Sequence, residues 1–261
     1  MTELQALIFD VDGTLADTER DDHRVAFNKA FAERGFDWVW SEFGYGELLA
    51  VSGGKERIYH YLQQYHPDFQ PPGGNWEGFL ADLHALKTKH YQELLTQAAI
   101  PLRIGVKRLI LEAREQGIRL AIATTSALPN VLALLERTLD PSWFEIIAAG
   151  DIVPAKKPAP DIYHYVLEKM QLTANDCIVI EDSHHGLQAA LGAGLRTVVT
   201  LNHYTQNQDF TGARLVVSHL GEPNQPCKYV RSDMSCRILA RTFTPQGHIS
   251  LASIRDALAS L

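Results

Sequence analysis

The chain has 261 residues, 46% of them hydrophobic and 21% charged, with a formal net charge of −7. This is the composition of an ordinary globular protein, and its acidic balance argues against a general nucleic-acid binder, which needs a basic face. No apolar run approaches the about 18 residues of a membrane span and residues 1–20 carry no secretion signal, so no membrane partner is expected; with only three scattered cysteines the expected compartment is cytoplasmic, the oligomeric state being open with a monomer favoured.

Residues 4–10 read as a buried strand, an apolar run that ends on Asp10, with Asp12 two residues further on. From about 20 to 98 the pattern is helical, in "HRVAFNKAFAERG", "KERIYHYLQQYH" and "EGFLADLHALKTKHYQELLTQA". The Pro and Gly of "HPDFQPPGGN" mark a loop between them. From 104 helices and strands alternate. "GVKRLILEAREQG" leads to "IRLAIAT", a helix over 128–138 to "FEIIAAG", a helix over 160–170 to "DCIVIED", and "GLQAALGAG" to "LRTVVTL". Short apolar runs separated by helices predict an α/β fold, an open parallel sheet with helices on both faces. The expected organisation is a Rossmann-like core over 1–18 and 99–220, an inserted all-helical cap over 19–98, and a C-terminal extension over 221–261. The extension holds a possible strand pair, "RILARTF" and "GHISL", and a terminal helix. Cys177, Cys227 and Cys236 are too few and too scattered for a disulfide framework or a cysteine metal site.

Sites in open α/β sheets form at the carboxyl ends of the strands. Here those ends offer Asp10 and Asp12, then Thr124, Thr125 and Ser126, then Lys156 and Lys157, then Glu181 and Asp182. Carboxylates so close repel unless neutralised, and a hard divalent cation such as Mg²⁺ does this with oxygen ligands. Metal and lysine offset the charge of a phosphate, while hydroxyls and loop N–H groups bind its oxygens. One aspartate can then attack phosphorus and the other protonate the leaving oxygen.

The motifs "DVDGT", "ATTS", "KKPAPD" and "EDSHHG" resemble, in order, the four motifs of the haloacid dehalogenase superfamily, over about residues 4–220. The resemblance implies Asp10 as nucleophile, Asp12 as general acid/base, and Thr124 and Lys157 as phosphate ligands. It implies Mg²⁺ held by the Asp10 carboxylate, the Asp12 backbone carbonyl and Asp182, with Glu181 in support. Aspartate at position 12 is the mark of phosphatases and phosphomutases rather than dehalogenases. "AFNKAF", "GYGELLAVSGGKERI", "LHALKTKHY", "ATTSALPNV" and "IIAAGDIVPAKKPAPDIY" further resemble the CbbY-like subfamily. That subfamily implies hydrolysis of xylulose-1,5-bisphosphate, a Rubisco inhibitor of the Calvin cycle. The alternatives are a sugar phosphomutase and a non-catalytic sugar-phosphate sensor.

In the cap, "SGGKER" places Gly53, Gly54, Lys55 and Arg57 at a helix start, where free N–H groups and positive charge suit an anion. With a second phosphate site in the core, this predicts a bisphosphate substrate. Glu19 is expected to meet a sugar hydroxyl, and Tyr45, His84, Lys87 and Asn130, with Thr125 and Ser126, complete the candidate substrate contacts. Lys156 reads as surface. His184 and His185 read as capping or surface residues, since Mg²⁺ prefers oxygen. Trp38, Trp40, Trp76 and Trp143 read as packing residues.

Overall fold

The structure is a computed structural model, and it describes residues 3–97, 100–231 and 247–259. The apolar run before Asp10 forms β1 (Ala6–Phe9), and all four of its residues are fully buried. It pairs in parallel with β2 (Arg119–Thr124) on one side and β4 (Cys177–Glu181) on the other, with Phe9 level with both Ile122 and Ile180. The chain winds outward to β3 (Ile146–Ala149), then returns to β4 and continues through β5 (Arg196–Thr200) and β6 (Leu215–Val217). The seven-stranded order is β3-β2-β1-β4-β5-β6-β7, with β7 (Tyr229–Arg231) an antiparallel edge. The reversal of winding at β1 opens a crevice at the carboxyl ends of β1, β2 and β4.

A wide helical turn over Glu19–His23 leads into α1 (Arg24–Glu33), followed by α2 (Glu42–Leu48), α3 (Gly54–Tyr65) and α4 (Trp76–Gln97). These helices share an aromatic core in which Phe27, Phe31, Trp38, Trp40 and Tyr45 interlock. The insert does not stand apart from the sheet. Tyr91 and Leu95, on the last two turns of α4, are buried in the main core.

The remaining helices sandwich the sheet. Side chains alternate along each strand, so Leu7, Phe9, Ile178 and Ile180 meet α5 (Val106–Glu115) and α6 (Leu128–Thr138). Ala6, Ile8, Cys177 and Val179 meet α7 (Asp161–Met170) and α8 (His184–Gly192) on the other face. The terminal helix α9 (Leu251–Ala259) joins the first face through Leu251 and Ile254.

One expectation for the tail changes. The "GHISL" stretch is not a strand: Ile249 N donates to Leu220 O at 2.8 Å, and the helix begins at Leu251. "RILARTF" lies outside the described residues. The sheet instead gains β6 and β7, three-residue runs too short to stand out from sequence periodicity.

Candidate active site

Asp10 follows β1 directly and is buried beside two other strand ends. Lys157 reaches it from the loop between β3 and α7, donating to Asp10 Oδ1 at 2.7 Å, Glu181 Oε1 at 2.5 Å and Ala123 O at 2.9 Å. Three acceptors satisfy the three ammonium hydrogens. Burial works against the charge on Lys157, yet Asp10 and Glu181 outweigh it and raise its pKa well above the ordinary lysine value. Glu181 is wholly engaged. Its Oε1 also accepts from Tyr163 at 2.9 Å, and its Oε2 accepts from Asp182 N at 3.0 Å and Ser183 Oγ at 3.3 Å. Glu181, expected in support of the metal site, thus has both oxygens hydrogen-bonded, while its carboxylate also lies beside those of Asp10 and Asp182.

Asp12 faces the insert. Its Oδ1 accepts from Thr18 Oγ1 at 2.5 Å and lies 2.8 Å from His23 Nε2. Lys87 Nζ, a donor only, lies 2.6 Å from His23 Nδ1, so the ring proton sits on Nε2 and points at Asp12. Burial would raise the Asp12 pKa, but His23, Thr18 and Ser126 together hold it below the usual carboxylate range. Lys87 is buried against the rings of Phe27 and Tyr91, and burial lowers its pKa to about 8. It acts on Asp12 through His23 and does not line the cleft.

Asp182 follows β4. Asn202, just past β5, donates from Nδ2 to Asp182 Oδ2 at 2.6 Å. Arg103 ties the neighbouring backbone together, donating to Gly13 O, to Leu201 O and, at 2.8 Å, to Thr200 Oγ1. Asp10, Glu181 and Asp182 each bring an oxygen within 4.8 Å of the others. Burial, only partly offset by Lys157, raises the Asp10 pKa to about 8, and burial with the Glu181 and Asp10 charges raises that of Asp182 strongly. Three buried carboxylates face one lysine, so the all-oxygen set is short of positive charge. A hard divalent cation fits that deficit.

The cleft above these groups has a volume of about 360 Å³. Of the expected residues, Asp10, Asp12, Glu19, Arg57, Thr124, Thr125, Lys157 and Asp182 line it. Tyr45 stands behind the wall: its hydroxyl donates to Glu19 Oε2 and accepts from Arg57 Nη1 at 2.9 Å. Ser126 lies behind Thr124, to whose Oγ1 its N–H donates at 3.1 Å.

Five expected contacts stand elsewhere. Lys55 points along the outside, its Nζ 2.6 Å from Asp151. Gly53, at φ 92°, and Gly54 are sites of close approach rather than an open cradle. A Cβ on Gly53 would strike Lys156 and Glu56, and one on Gly54 would strike the His84 ring. His84 fills that space, and burial with nearby lysines pushes its pKa down to about 3. Asn130 is buried in the first turn of α6, away from the cleft wall.

Lys156 is not the solvated residue its sequence suggests. Its Nζ lies 2.9 Å from both Glu56 and Asp151, and its side chain is only 14% exposed. His184 and His185 do reach the cleft, where His184 Nδ1 meets Asp209 O at 2.6 Å and His185 Nδ1 lies 3.4 Å from Ser52 Oγ. Sequence reasoning missed His23, Arg103, Asn202 and Tyr204. Asn202 was findable, as the polar residue after a fifth parallel strand. His23 carries no such signal, because only the turn of the insert brings it back to Asp12.

Comparison with known proteins agrees with this architecture. A family model for haloacid dehalogenase-like hydrolases matches residues 4–194. The protein CbbY of Cupriavidus necator is 49% identical over 226 residues, covering 85% of this chain and 88% of that one. CbbY of Cereibacter sphaeroides is 44% identical, over 84% of this chain and 94% of its own. A crystal structure of a mutant CbbY from Rhodobacter sphaeroides in complex with xylulose-(1,5)bisphosphate superposes with a TM-score of 0.77. It is 43% identical and covers 84% of this chain and 96% of that chain.

Proposed function

The chain belongs to the haloacid dehalogenase-like hydrolases, and from that premise we propose that it is a Mg²⁺-dependent phosphatase that converts a sugar bisphosphate, xylulose-1,5-bisphosphate, to the monophosphate. The observation that carries the reading is the Lys157 ammonium held between Asp10 and Glu181 in a cleft that Arg57, from the insert, also lines. Asp10 and Lys157 thus suit phosphate transfer, and Arg57 suits a phosphate that is only gripped. The resemblance to CbbY supplies the sugar.

The Asp10 carboxylate, the Asp12 backbone carbonyl and Asp182 would hold the cation, which supplies the positive charge that ionises Asp10 and offsets the phosphate. Asp10 attacks phosphorus, forming an aspartyl phosphate as the bond to the sugar oxygen breaks. Lys157 and the Thr124 hydroxyl bind the phosphoryl oxygens. The sugar oxygen takes a proton from Asp12, which must first acquire one and turn from His23, since its contacts in this structure favour the ionised form. The Asp12 carboxylate left behind then accepts a proton from the water that hydrolyses the phosphoenzyme. Arg57, oriented by Tyr45 and Glu19, meets the second phosphate, and Glu19 meets a sugar hydroxyl.

Phosphate release over a panel of sugar mono- and bisphosphates, with Mg²⁺ and with chelator, tests the reading. Turnover should be greatest on the bisphosphate, abolished by chelator and absent in Asp10→Asn. Metal-independent turnover, or equal turnover of mono- and bisphosphates, would overturn it.

A further inference from the structure

Two adjacent lysines leave the loop before α7 in different directions. Lys157 enters the core to meet Asp10, while Lys156 crosses to the insert. There its Nζ lies 2.9 Å from Glu56 on α3 and, at the same distance, from Asp151 on its own loop. Lys55, beside Glu56, closes the set with its Nζ 2.6 Å from Asp151. The four groups alternate in sign, two from the insert and two from the core loop.

Backbone geometry makes this more than a pair of mobile surface chains. The Lys156 side chain passes so close to Gly53 that a Cβ there would overlap it. Gly53 O accepts from Arg57 N at 3.0 Å in the first turn of α3. A displacement of Lys156 is therefore felt one helical turn away, at the cation on the cleft wall. The same loop carries Lys157. The loop thus carries the lysine that meets Asp10 and, through Lys156, touches the first turn of α3 from which Arg57 projects.

From this we infer that Lys156 is a positioning residue for the reaction: through Glu56 and Asp151 it holds Arg57 at the distance from Lys157 that a two-phosphate substrate needs. The inference rests on the proposed role of Arg57 in gripping a second phosphate. Lys156 itself does not line the main cleft, so its loss acts through the position of α3. A partly buried network is screened less by salt than exposed pairs are, and its partners should couple.

The test is a double-mutant cycle of Lys156→Met and Glu56→Gln, assayed on xylulose-1,5-bisphosphate and on p-nitrophenyl phosphate. Hydrogen exchange at the start of α3 is followed alongside. Met keeps the methylene stem and removes the charge. Each single variant should raise KM for the bisphosphate by about three- to tenfold with kcat nearly unchanged, and the double variant should be no worse than the weaker single. The aryl phosphate, which has no second anion, should keep its kcat/KM within about twofold. Exchange of the Arg57 amide, which donates to Gly53 O, should quicken in Lys156→Met whichever substrate the enzyme takes. Multiplicative single effects, equal losses on both substrates, or unchanged exchange would overturn the inference. Wild-type enzyme inactive on any bisphosphate, with faster exchange in Lys156→Met, would leave the bridge standing and refute the substrate reading and the role in spacing Arg57.

Discussion

Gly186 is the third residue of α8, where helix propensity alone says that Gly186→Ala should stabilise the protein by up to about 1 kcal/mol. The structure predicts the opposite sign. A Cβ at that position would overlap the carboxyl carbon and both oxygens of Glu181. That carboxylate has nowhere to go: it is fully buried and accepts from Lys157 at 2.5 Å, Tyr163 at 2.9 Å and Asp182 N at 3.0 Å. Prying it from Lys157 breaks a buried ion pair, at about 3–5 kcal/mol. Set against the propensity gain, the net loss is about 2–4 kcal/mol. Lys157 would also lose the group that aims it at Asp10, and a shift of about 1 Å in such a group costs on the order of 100-fold in rate. Urea unfolding followed by tryptophan fluorescence measures the first effect, and steady-state kinetics on a sugar phosphate the second. A variant as stable as wild type with undiminished turnover would show that the methyl is accommodated and that Glu181 does not anchor the site.

His84 should make the protein acid-labile. Its pKa falls from 6.5 to about 3 on folding, so stability is intact above 6.5 and is lost as pH falls toward 3. By pH 5.5 the loss should reach about 1.4 kcal/mol, and His84→Gln should remove that part of the difference between denaturation midpoints at pH 7.5 and 5.5. Arg103→Lys removes a forked donor that joins Gly13, Thr200 and Leu201, and should cost about 1.5–3 kcal/mol in urea unfolding even though the charge is kept. Arg57→Ala should lower kcat/KM on the bisphosphate by about 10–100-fold, whereas Lys55→Ala, which removes an external pair with Asp151, should cost less than about tenfold. A larger effect at Lys55 would place the second phosphate outside the cleft wall described here.

Much of the fold is local and therefore legible in the chain. The runs "IRLAIAT" and "DCIVIED" are apolar on both faces because helices cover both, and they became β2 and β4 within a residue or two. Asp10, Asp12, Thr124, Lys157 and Asp182 could be placed on one edge because a parallel sheet aligns its carboxyl ends. The three-residue strands β6 and β7 were not legible, since their pairing is decided by the neighbouring strand rather than by their own periodicity.

The insert divides the same way. Three of its helices follow from sequence, yet the side chains expected on the cleft separated: Arg57 and Glu19 face it, while Lys55, His84 and Lys87 do not. Spacing along one helix fixes which residues share a face, but not which face meets the core. That depended on how the insert seats over the sheet, on Tyr204 of the core loop packing against Tyr45, and on Lys156 reaching across to Glu56. The strands β1 to β5 and the charged or hydroxyl residues at their ends are legible in the chain, because each is encoded within a strand or a turn. That His23 orients Asp12, that Asn202 holds Asp182 and that Lys156 bridges two layers is not legible there, because those partners lie 11, 20 and 100 residues apart and meet only once β4 has paired with β5 and the insert has packed on the sheet.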